Sequence, residues 1–312
     1  MMDKTLKKSI ILAAGFGTRL KPFSDTLPKP LFPLFGKPAL YYIFENLAEN
    51  GIENIFVNTH HLSDLILPAI PDITPAGANV QTFVERDKIL GTAGGIGNIF
   101  KNIGEPDETI LIHNGDVLEQ FDIISALEFH RANNFLATLI VVDEPRKNSV
   151  AVDGEIVSGF IPIGEKISPG FKKLTYSGVA ILEPEIISTF PNDRFASLIE
   201  YLIPFVKMKK VGAFYEKNFW CDFGTIRDYL ELHRRILVDG EFLKNFAGKK
   251  IWISESAEID DSVEIFGFAA IYDSVKISGS VRIANSVIWH NTILKSGTYI
   301  NSIISPDFCV EI

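Results

Sequence analysis

The sequence predicts an α/β chain, a mostly parallel sheet layered with helices, that gives way near residue 250 to a short parallel β-helix. Three observations predict it. Short apolar runs alternate with helical patterns from the N-terminus, a Gly-rich turn follows the first apolar run, and a six-residue period takes over the tail. The boundaries fall at 1–237 for the α/β domain, 238–250 for a linker and 251–312 for the β-helix.

The first apolar run is Ser9–Leu12. Pro38–Asn50 carries Leu40, Ile43, Phe44 and Leu47 at helical spacing and stops at Gly51, as helices often do. Asn54–Asn58 reads as the second strand, Ser63 as the cap of a helix through Leu67, Asn79–Val84 as the third strand and Thr109–His113 as the fourth. Strands spaced by helices of this length imply βαβ units, whose ligands sit at the carboxyl ends of the strands. Residues 135–182 are richer in strand signal: Ala137–Val142, Ser149–Val152, Ile156–Ile161 and Leu174–Leu182, with a hairpin turn at Asp153-Gly154. They read as a β-rich insertion forming one wall of the site. Helical pattern returns at Ala196–Val206 and Ile226–Leu237.

In the tail, every sixth position from 253 reads Ile253, Ile259, Ile265, Ile271, Ile277, Ile283 and Trp289. Four positions on in each hexad stand Ala257, Val263, Ala269, Val275, Val281, Val287, Ile293 and Tyr299, with small or polar residues between. Such a period stacks short strands into a parallel β-helix. The stub is short and has an open end, which either the apolar last residues (Phe308, Cys309, Val310, Ile312) or a second copy of the chain would cover, making a homo-oligomer.

Composition narrows the function. The net charge of −9 argues against a nucleic-acid surface. Two cysteines far apart, Cys221 and Cys309, fit a reduced, cytoplasmic chain without a disulfide framework. The apolar run Ile10–Ala14 behind the charged start is too short for a secretory leader, and no run reaches the ~18 residues of a membrane span.

The chemistry concentrates in residues 12–33, LAAGFGTRLKPFSDTLPKPLFP. Ala13, Ala14, Gly15, Gly17 and Thr18 fill a turn at the end of the first strand. Gly15 and Gly17 lack a Cβ, so backbone N–H groups can approach a ligand and form an anion-binding concavity. Arg19 follows and can fork onto phosphate oxygens, and Lys29 stands ten positions later between Pro28 and Pro30. Two cations on a Gly-rich turn suit a polyphosphate. A Walker loop is excluded, because the nearby Gly36-Lys37 is followed by Pro38, and a dinucleotide fingerprint lacks its third glycine at Leu20. Asp116, after His113-Asn114-Gly115 at the end of the fourth strand, can hold Mg²⁺. His60 and His61 lack partners at metal-ligand spacing and read as structural, and His113 as a residue behind the site.

This run closely resembles the signature of the sugar-1-phosphate nucleotidyltransferases, over residues 8–237, and the tail resembles the left-handed β-helix that some members carry. The resemblance implies a Rossmann-like domain taking a nucleoside triphosphate and a sugar 1-phosphate, with no nucleic acid or membrane as partner. It implies that Arg19 and Lys29 bind phosphates and that the Ala13–Gly17 backbone lies under the nucleotide. It implies that Mg²⁺ is held by Asp116 and by Asp222 of Phe219–Thr225, and that Gly91, Thr92, Ala93, Gly94 and Gly95 form a second nucleotide loop. Gly178, in Tyr176-Ser177-Gly178-Val179, would admit the sugar. Glu85 reads either as a nucleoside contact or as a solvated strand-end charge. The family's Glu-Lys-Pro is replaced by Gly164-Glu165-Lys166-Ile167, which leaves Lys166 as a candidate for the lysine on the sugar phosphate.

The pieces resemble mannose-1-phosphate guanylyltransferases, with GTP and a hexose or heptose 1-phosphate, and also N-acetylmuramate-1-phosphate uridylyltransferases. A non-catalytic nucleotide-sugar-binding subunit is the alternative of another class, opposed by intact Arg19, Lys29, Asp116 and Asp222. An acyltransferase seated in the tail is opposed by its lone histidine, His290.

Overall fold

The computed structural model describes residues 6–312. The chain forms two compact units: one comprises the chain up to Gly15 together with Ile43–Trp220, the other Phe16–Tyr42 together with Cys221–Ile312.

The first unit is built on a nine-stranded sheet among the described residues. Strands β1 (Lys8–Leu12), β2 (Asn54–Thr59), β3 (Asn79–Val84) and β4 (Ile110–Asn114) lie parallel in the order β3-β2-β1-β4. Helices supply the crossovers that parallel pairing demands. Of the predicted helices, α1 spans Ala39–Glu49, just inside the Pro38–Asn50 expected. The next, α2, spans Ser63–Ile73, well past Leu67, and its N-cap is Leu62 in a left-handed conformation rather than a Ser63 side chain. Helices α3 (Gly91–Asn102) and α4 (Ile123–Ala132) follow.

Beyond β4 the sheet is mixed, which corrects the expected mostly parallel order. Its remaining strands are β5 (Ala137–Val142), β6 (Val150–Asp153), β7 (Ile156–Phe160), β8 (Lys172–Leu182) and β9 (Val211–Tyr215). Strand β8 runs antiparallel to both β4 and β5, while β9 is parallel to β5. The reason lies in the connections: turns and a hairpin, not helices, join β5 to β8, so the chain reverses. The β6–β7 hairpin does turn at Asp153-Gly154, with Gly154 at φ +60. The strands of residues 135–182 are therefore part of the sheet and not an insertion beside it. Leu139, Val141, Ala180 and Leu182 share one buried core with Ile10 and Ile112. Helix α5 (Leu198–Lys207) begins two residues later than expected.

In the second unit, Thr225 caps helix α6 (Ile226–Arg234), its hydroxyl oxygen accepting from the Asp228 N–H at 3.1 Å. The tail forms a stack of parallel strands. Ile251 pairs with Ala269, Glu258 with Lys276 and Glu264 with Arg282, a spacing of eighteen residues. The spacing then shortens: Ile271 pairs with Ile288 and Ile288 with Ile304. Ile271, Ile277, Ile283, Ile288, Leu294 and Ile304 form the interior. The strict period of six thus fails after Ile283. Ile288 and Leu294 take the inward places expected for Trp289 and Ile293, and Ile293 is 61% exposed. The break sits at Asn285, which turns the chain at φ +50. The last residues fold back, Cys309–Glu311 pairing antiparallel with Ser302–Ile304. At the other end, Ile251 and Ile253 stay exposed.

Candidate active site

The carboxyl ends of β1 and β4 in the first unit open onto a pocket of about 200 Å³ lined by Leu12, Ala14, Gly15, Asn58, Ile89, Gly91, Thr92, Asn114 and Asp116. A Cβ on Gly15 would meet nothing within 4 Å, so this position is open to an incoming group. Gly115 brings Asp116 to the pocket by close approach: its N–H donates to the Leu12 carbonyl at 2.8 Å, and a Cβ there would sit 3.0 Å from that oxygen.

A relay of side chains, begun by an asparagine that the sequence expectations did not include, holds this pocket's walls. Asn58 Oδ1 accepts from the Ala13 N–H at 2.7 Å, so that amide faces the protein. The Asn58 amide donates to Glu85 Oε1 at 2.7 Å, and the other Glu85 oxygen accepts from the Leu90 N–H at 2.8 Å. Glu85 is 4% exposed, which corrects its reading as a solvated charge and gives it a structural task. Burial pushes its pKa up, against the opposing hydrogen bonds from Leu90 and Asn58 and the nearby His60. His60 in turn sits 2.5 Å from the Glu85 carbonyl through Nδ1, so it braces the wall, as expected of a structural histidine. Asn58 and Asn114 were missed because an asparagine at a strand end carries no distinctive local pattern.

The 91–95 loop divides between two tasks. Gly91 and Thr92 line the pocket, whereas Ala93, Gly94 and Gly95 do not. The Ala93 N–H donates to the Ala196 carbonyl at 3.0 Å. A Cβ on Gly94 would fall 2.4 Å from the Arg194 carbonyl oxygen, and one on Gly95 would fall 2.6 Å from the Asn58 amide nitrogen. These glycines let α3 pack closely on its neighbours. The Thr92 hydroxyl accepts from the Leu198 N–H at 2.6 Å and starts α5.

Gly178 lies where the β5–β8 register slips, at φ +90. A Cβ there would approach the Asn114 amide nitrogen to 2.7 Å, so only glycine lets β8 pass this close to the pocket's Asn114. His113 is buried beneath, 2.8 Å from the Asn114 carbonyl and 3.5 Å from Glu119, touching no pocket surface. A larger recess of about 520 Å³ runs past Asp107, His130, Arg131 and Glu183 and carries none of the expected residues. Its His130 bridges Thr138 and Glu183, 2.8 Å from each.

Within the second unit, three expected residues meet. Lys29, only 8% exposed, places Nζ 3.9 Å from Asp222 Oδ1 and 4.9 Å from the centre of the Phe223 ring. A Cβ on Gly224 would lie 2.9 Å from Asp222 Oδ1 and 3.0 Å from Arg19 Nη2, so Arg19 and Asp222 flank the same turn. Arg19 itself is exposed. Gly17, at φ +63, opens the short turn Thr18–Leu20, and the Ser24 hydroxyl donates to its carbonyl at 2.9 Å.

The segment bearing Arg19 and Lys29 is a run of single 3-10 turns, braced by rings of the same unit. Phe23 packs against Trp289 at 5.0 Å and Phe308 at 6.1 Å, and Phe32 against Trp289 at 4.9 Å. Tyr272 Oη accepts from the Phe35 N–H at 2.9 Å and lies 3.0 Å from the Pro33 carbonyl, which also accepts from the Tyr229 hydroxyl. Trp289, which leaves the tail's interior, thus serves this brace. His233 lies between Tyr229 and Tyr272, and burial lowers its pKa to about 4, so it is neutral at pH 7.

Asp116 and Asp222 offer hard carboxylate oxygens. Among the described residues, no group of three or more His, Cys, Asp or Glu forms a metal cage. Each aspartate is the kind of ligand that Mg²⁺ takes, since that ion uses one or two carboxylates and completes its shell with water and substrate phosphates. No described helix is long and apolar enough to cross a membrane.

Comparison with known proteins places these features. A model of the nucleotidyl transferase family matches residues 8–238. UTP–glucose-1-phosphate uridylyltransferase of Synechocystis is 30% identical over 74% of this chain and 63% of its own length. Mannose-1-phosphate guanylyltransferase of Mycobacterium tuberculosis is 28% identical over 71% of this chain and 62% of its own. The chain therefore spans under two thirds of these two relatives. N-acetylmuramate α-1-phosphate uridylyltransferase of Neisseria meningitidis is 31% identical over 70% of this chain and 94% of its own. Among solved structures, HddC from Yersinia pseudotuberculosis, also solved with GMP-PN, superposes with a TM-score of 0.61 at 28% identity, covering 72% of this chain and 97% of HddC.

Proposed function

The chain belongs to the nucleotidyl transferase family, and from that premise we propose that it is a sugar-1-phosphate nucleotidylyltransferase. A nucleoside triphosphate and a sugar 1-phosphate give a nucleotide sugar and pyrophosphate. A sugar-phosphate oxygen attacks the α-phosphorus in line, the bond from that phosphorus to the β-bridging oxygen breaks, and pyrophosphate leaves. The nucleophile is already anionic, since the second pKa of a phosphate monoester is about 6, so no side-chain base is required. Catalysis then rests on positioning and charge neutralisation.

The observation that carries this reading is the gathering of Arg19, Lys29 and Asp222 around the turn at Gly224. Arg19, exposed and planar, would hold the leaving phosphates, and Lys29 the reacting ones. Ala14, Gly15, Gly91 and Thr92 would seat the nucleotide, and Gly178 would leave room for the sugar. Asp116 and Asp222 are each proposed as ligands to Mg²⁺, which would supply Lewis-acid stabilisation of the α-phosphate charge.

GTP with a hexose or heptose 1-phosphate is the preferred pair, supported by the mycobacterial guanylyltransferase and by HddC with its GMP-PN. A uridylyltransferase on an amino-sugar 1-phosphate is the second reading, favoured by the near full-length match to the neisserial enzyme. We read the tail as a hexapeptide-repeat, left-handed β-helix, whose exposed first coil offers a surface to a second copy. A cytoplasmic location accords with Cys221 and Cys309 forming no disulfide.

The test is pyrophosphate release with Mg²⁺ across the common nucleoside triphosphates and a panel of sugar 1-phosphates. Release from one pair supports the reading and names base and sugar; silence across the panel with nucleotide binding intact favours a non-catalytic binding subunit.

A further inference from the structure

Phe195 is 67% exposed, the highest value of any large apolar side chain among the described residues. Its backbone is nevertheless fixed. The Ala196 N–H donates to the Leu90 carbonyl at 2.9 Å, the Ala93 N–H donates to the Ala196 carbonyl at 3.0 Å, and the Leu198 N–H donates to the Thr92 hydroxyl at 2.6 Å. Residues 195–198 are thereby clamped along the first turn of α3, the turn that supplies Gly91 and Thr92 to the pocket. None of these bonds uses the Phe195 ring, so the clamp itself does not call for an aromatic residue.

The ring touches the pocket wall directly. A Cβ on Gly91 would fall 3.0 Å from Phe195 Cε2 and 3.2 Å from its Cδ2, so the ring lies against this pocket-lining glycine with no residue between them. Both belong to the first unit. The pocket is also small. Ligand pockets commonly measure about 300–1,000 Å³ and this one about 200 Å³, so a nucleoside triphosphate fills it and continues across its rim. Leu12, Ile89 and Gly91 give the lining an apolar part suited to a flat base, and the exposed ring against Gly91 carries that apolar part outward. A phenyl ring on a fixed backbone has two torsions to immobilise, so covering it with a second flat ring costs little ordering.

We propose that the base of the nucleoside triphosphate stacks on the Phe195 ring at the pocket rim. This rests on the nucleotidylyltransferase reading only in placing a nucleotide in this pocket. Loss of a base–aromatic stack predicts that Phe195→Ala weakens binding of the triphosphate by about fivefold to a hundredfold. Phe195→Leu keeps an apolar side chain but no ring face and should lose a similar factor, whereas Phe195→Tyr should stay within about twofold of wild type. The melting temperature and KM for the sugar 1-phosphate should not move, because the ring is exposed and the clamp is backbone.

The experiment titrates wild type and these variants with each common nucleoside triphosphate by calorimetry, with thermal melts on each. It adds Phe195→Trp, read by tryptophan fluorescence against wild type with its own Trp220, Trp252 and Trp289. Weakened binding in Phe195→Ala and Phe195→Leu, retained binding in Phe195→Tyr, and quenching of Phe195→Trp beyond the wild-type response support the proposal. Unaltered affinity in Phe195→Ala, full recovery by Phe195→Leu, or no added quenching in Phe195→Trp overturns it. If nucleotide binding follows the expected pattern but wild type releases no pyrophosphate from any substrate pair, the parent reading falls and this inference stands. If wild type binds no nucleoside triphosphate, both fall.

Discussion

The pocket of the first unit and the cation-bearing loop of the second are held in place by opposite means. Around the pocket, ordered strands end in backbone that a short polar relay fixes: Ala13 to Asn58, Asn58 to Glu85, Glu85 to Leu90. Around Arg19 and Lys29 the backbone makes only single 3-10 turns, and order comes from rings: Phe23, Phe32 and Phe35 packed against Trp289, Phe308 and Trp252. A polar relay holds a few atoms tightly but collapses if one member goes, because a buried group is left unpaired. A ring cluster spreads its contribution over area and loses it in proportion to what is removed. Damage to the two regions should therefore read out differently.

The largest effect should come from Phe23→Ala. Phe23 is 1% exposed at the centre of the ring cluster, and its loss should cost about 3–5 kcal/mol of stability, seen in denaturant melts. A cost below about 1 kcal/mol would break the ring-brace half of the comparison. Next comes Asp116→Asn, isosteric and in the pocket, which should cut turnover by at least ~10² with the melt unchanged. Near-normal turnover in the folded, Mg²⁺-replete variant would remove Asp116 from the chemistry. Asn58→Leu should cost about 1–3 kcal/mol, because it strips Glu85 of a buried donor. Adding Glu85→Gln to that variant should recover part of the cost, and strict additivity of the two would argue against a relay.

Tyr272→Phe removes one hydroxyl from the brace and should cost roughly 1 kcal/mol, a small fall in melting temperature. The smallest effect is a pH dependence. The folded pKa of His233, about 4, lies below its unfolded value near 6.5, so the unfolded chain binds a proton that the folded one refuses. Its contribution is complete above pH 6.5 and is lost as pH falls toward 4. Between pH 7 and 5.5 wild type should lose about 1 kcal/mol more than His233→Gln. Parallel melting curves over that range would show that His233 is not held neutral.

The sequence made the local features legible and the distant ones not. Gly15, Gly17, Arg19, Lys29 and Asp116 stand out because chemistry or backbone conformation restricts their type, whereas Gly178 is reached only through the family resemblance. The helix cap at Thr225 and the turn at Asp153-Gly154 are equally local. Strand direction is not: the apolar pattern of β8 is the same whichever way it runs, so the mixed sheet emerges only in three dimensions. Asn58 meets Ala13 from 45 positions away, and Tyr272 meets Phe35 from 237, separations at which no spacing rule operates. The register change at Asn285 escaped for a related reason: Ile288-Trp289 and Ile293-Leu294 are adjacent apolar pairs, and hydrophobicity alone does not choose the inward member.

The most direct measurement of the central claim is the reverse reaction: exchange of labelled pyrophosphate into nucleoside triphosphate from a nucleotide sugar. The account predicts Mg²⁺-dependent label in the triphosphate with wild type, and loss of about 10² or more of that rate in Asp116→Asn and Asp222→Asn variants that still melt normally. No label from any nucleotide sugar, or label undiminished in both variants, would contradict it.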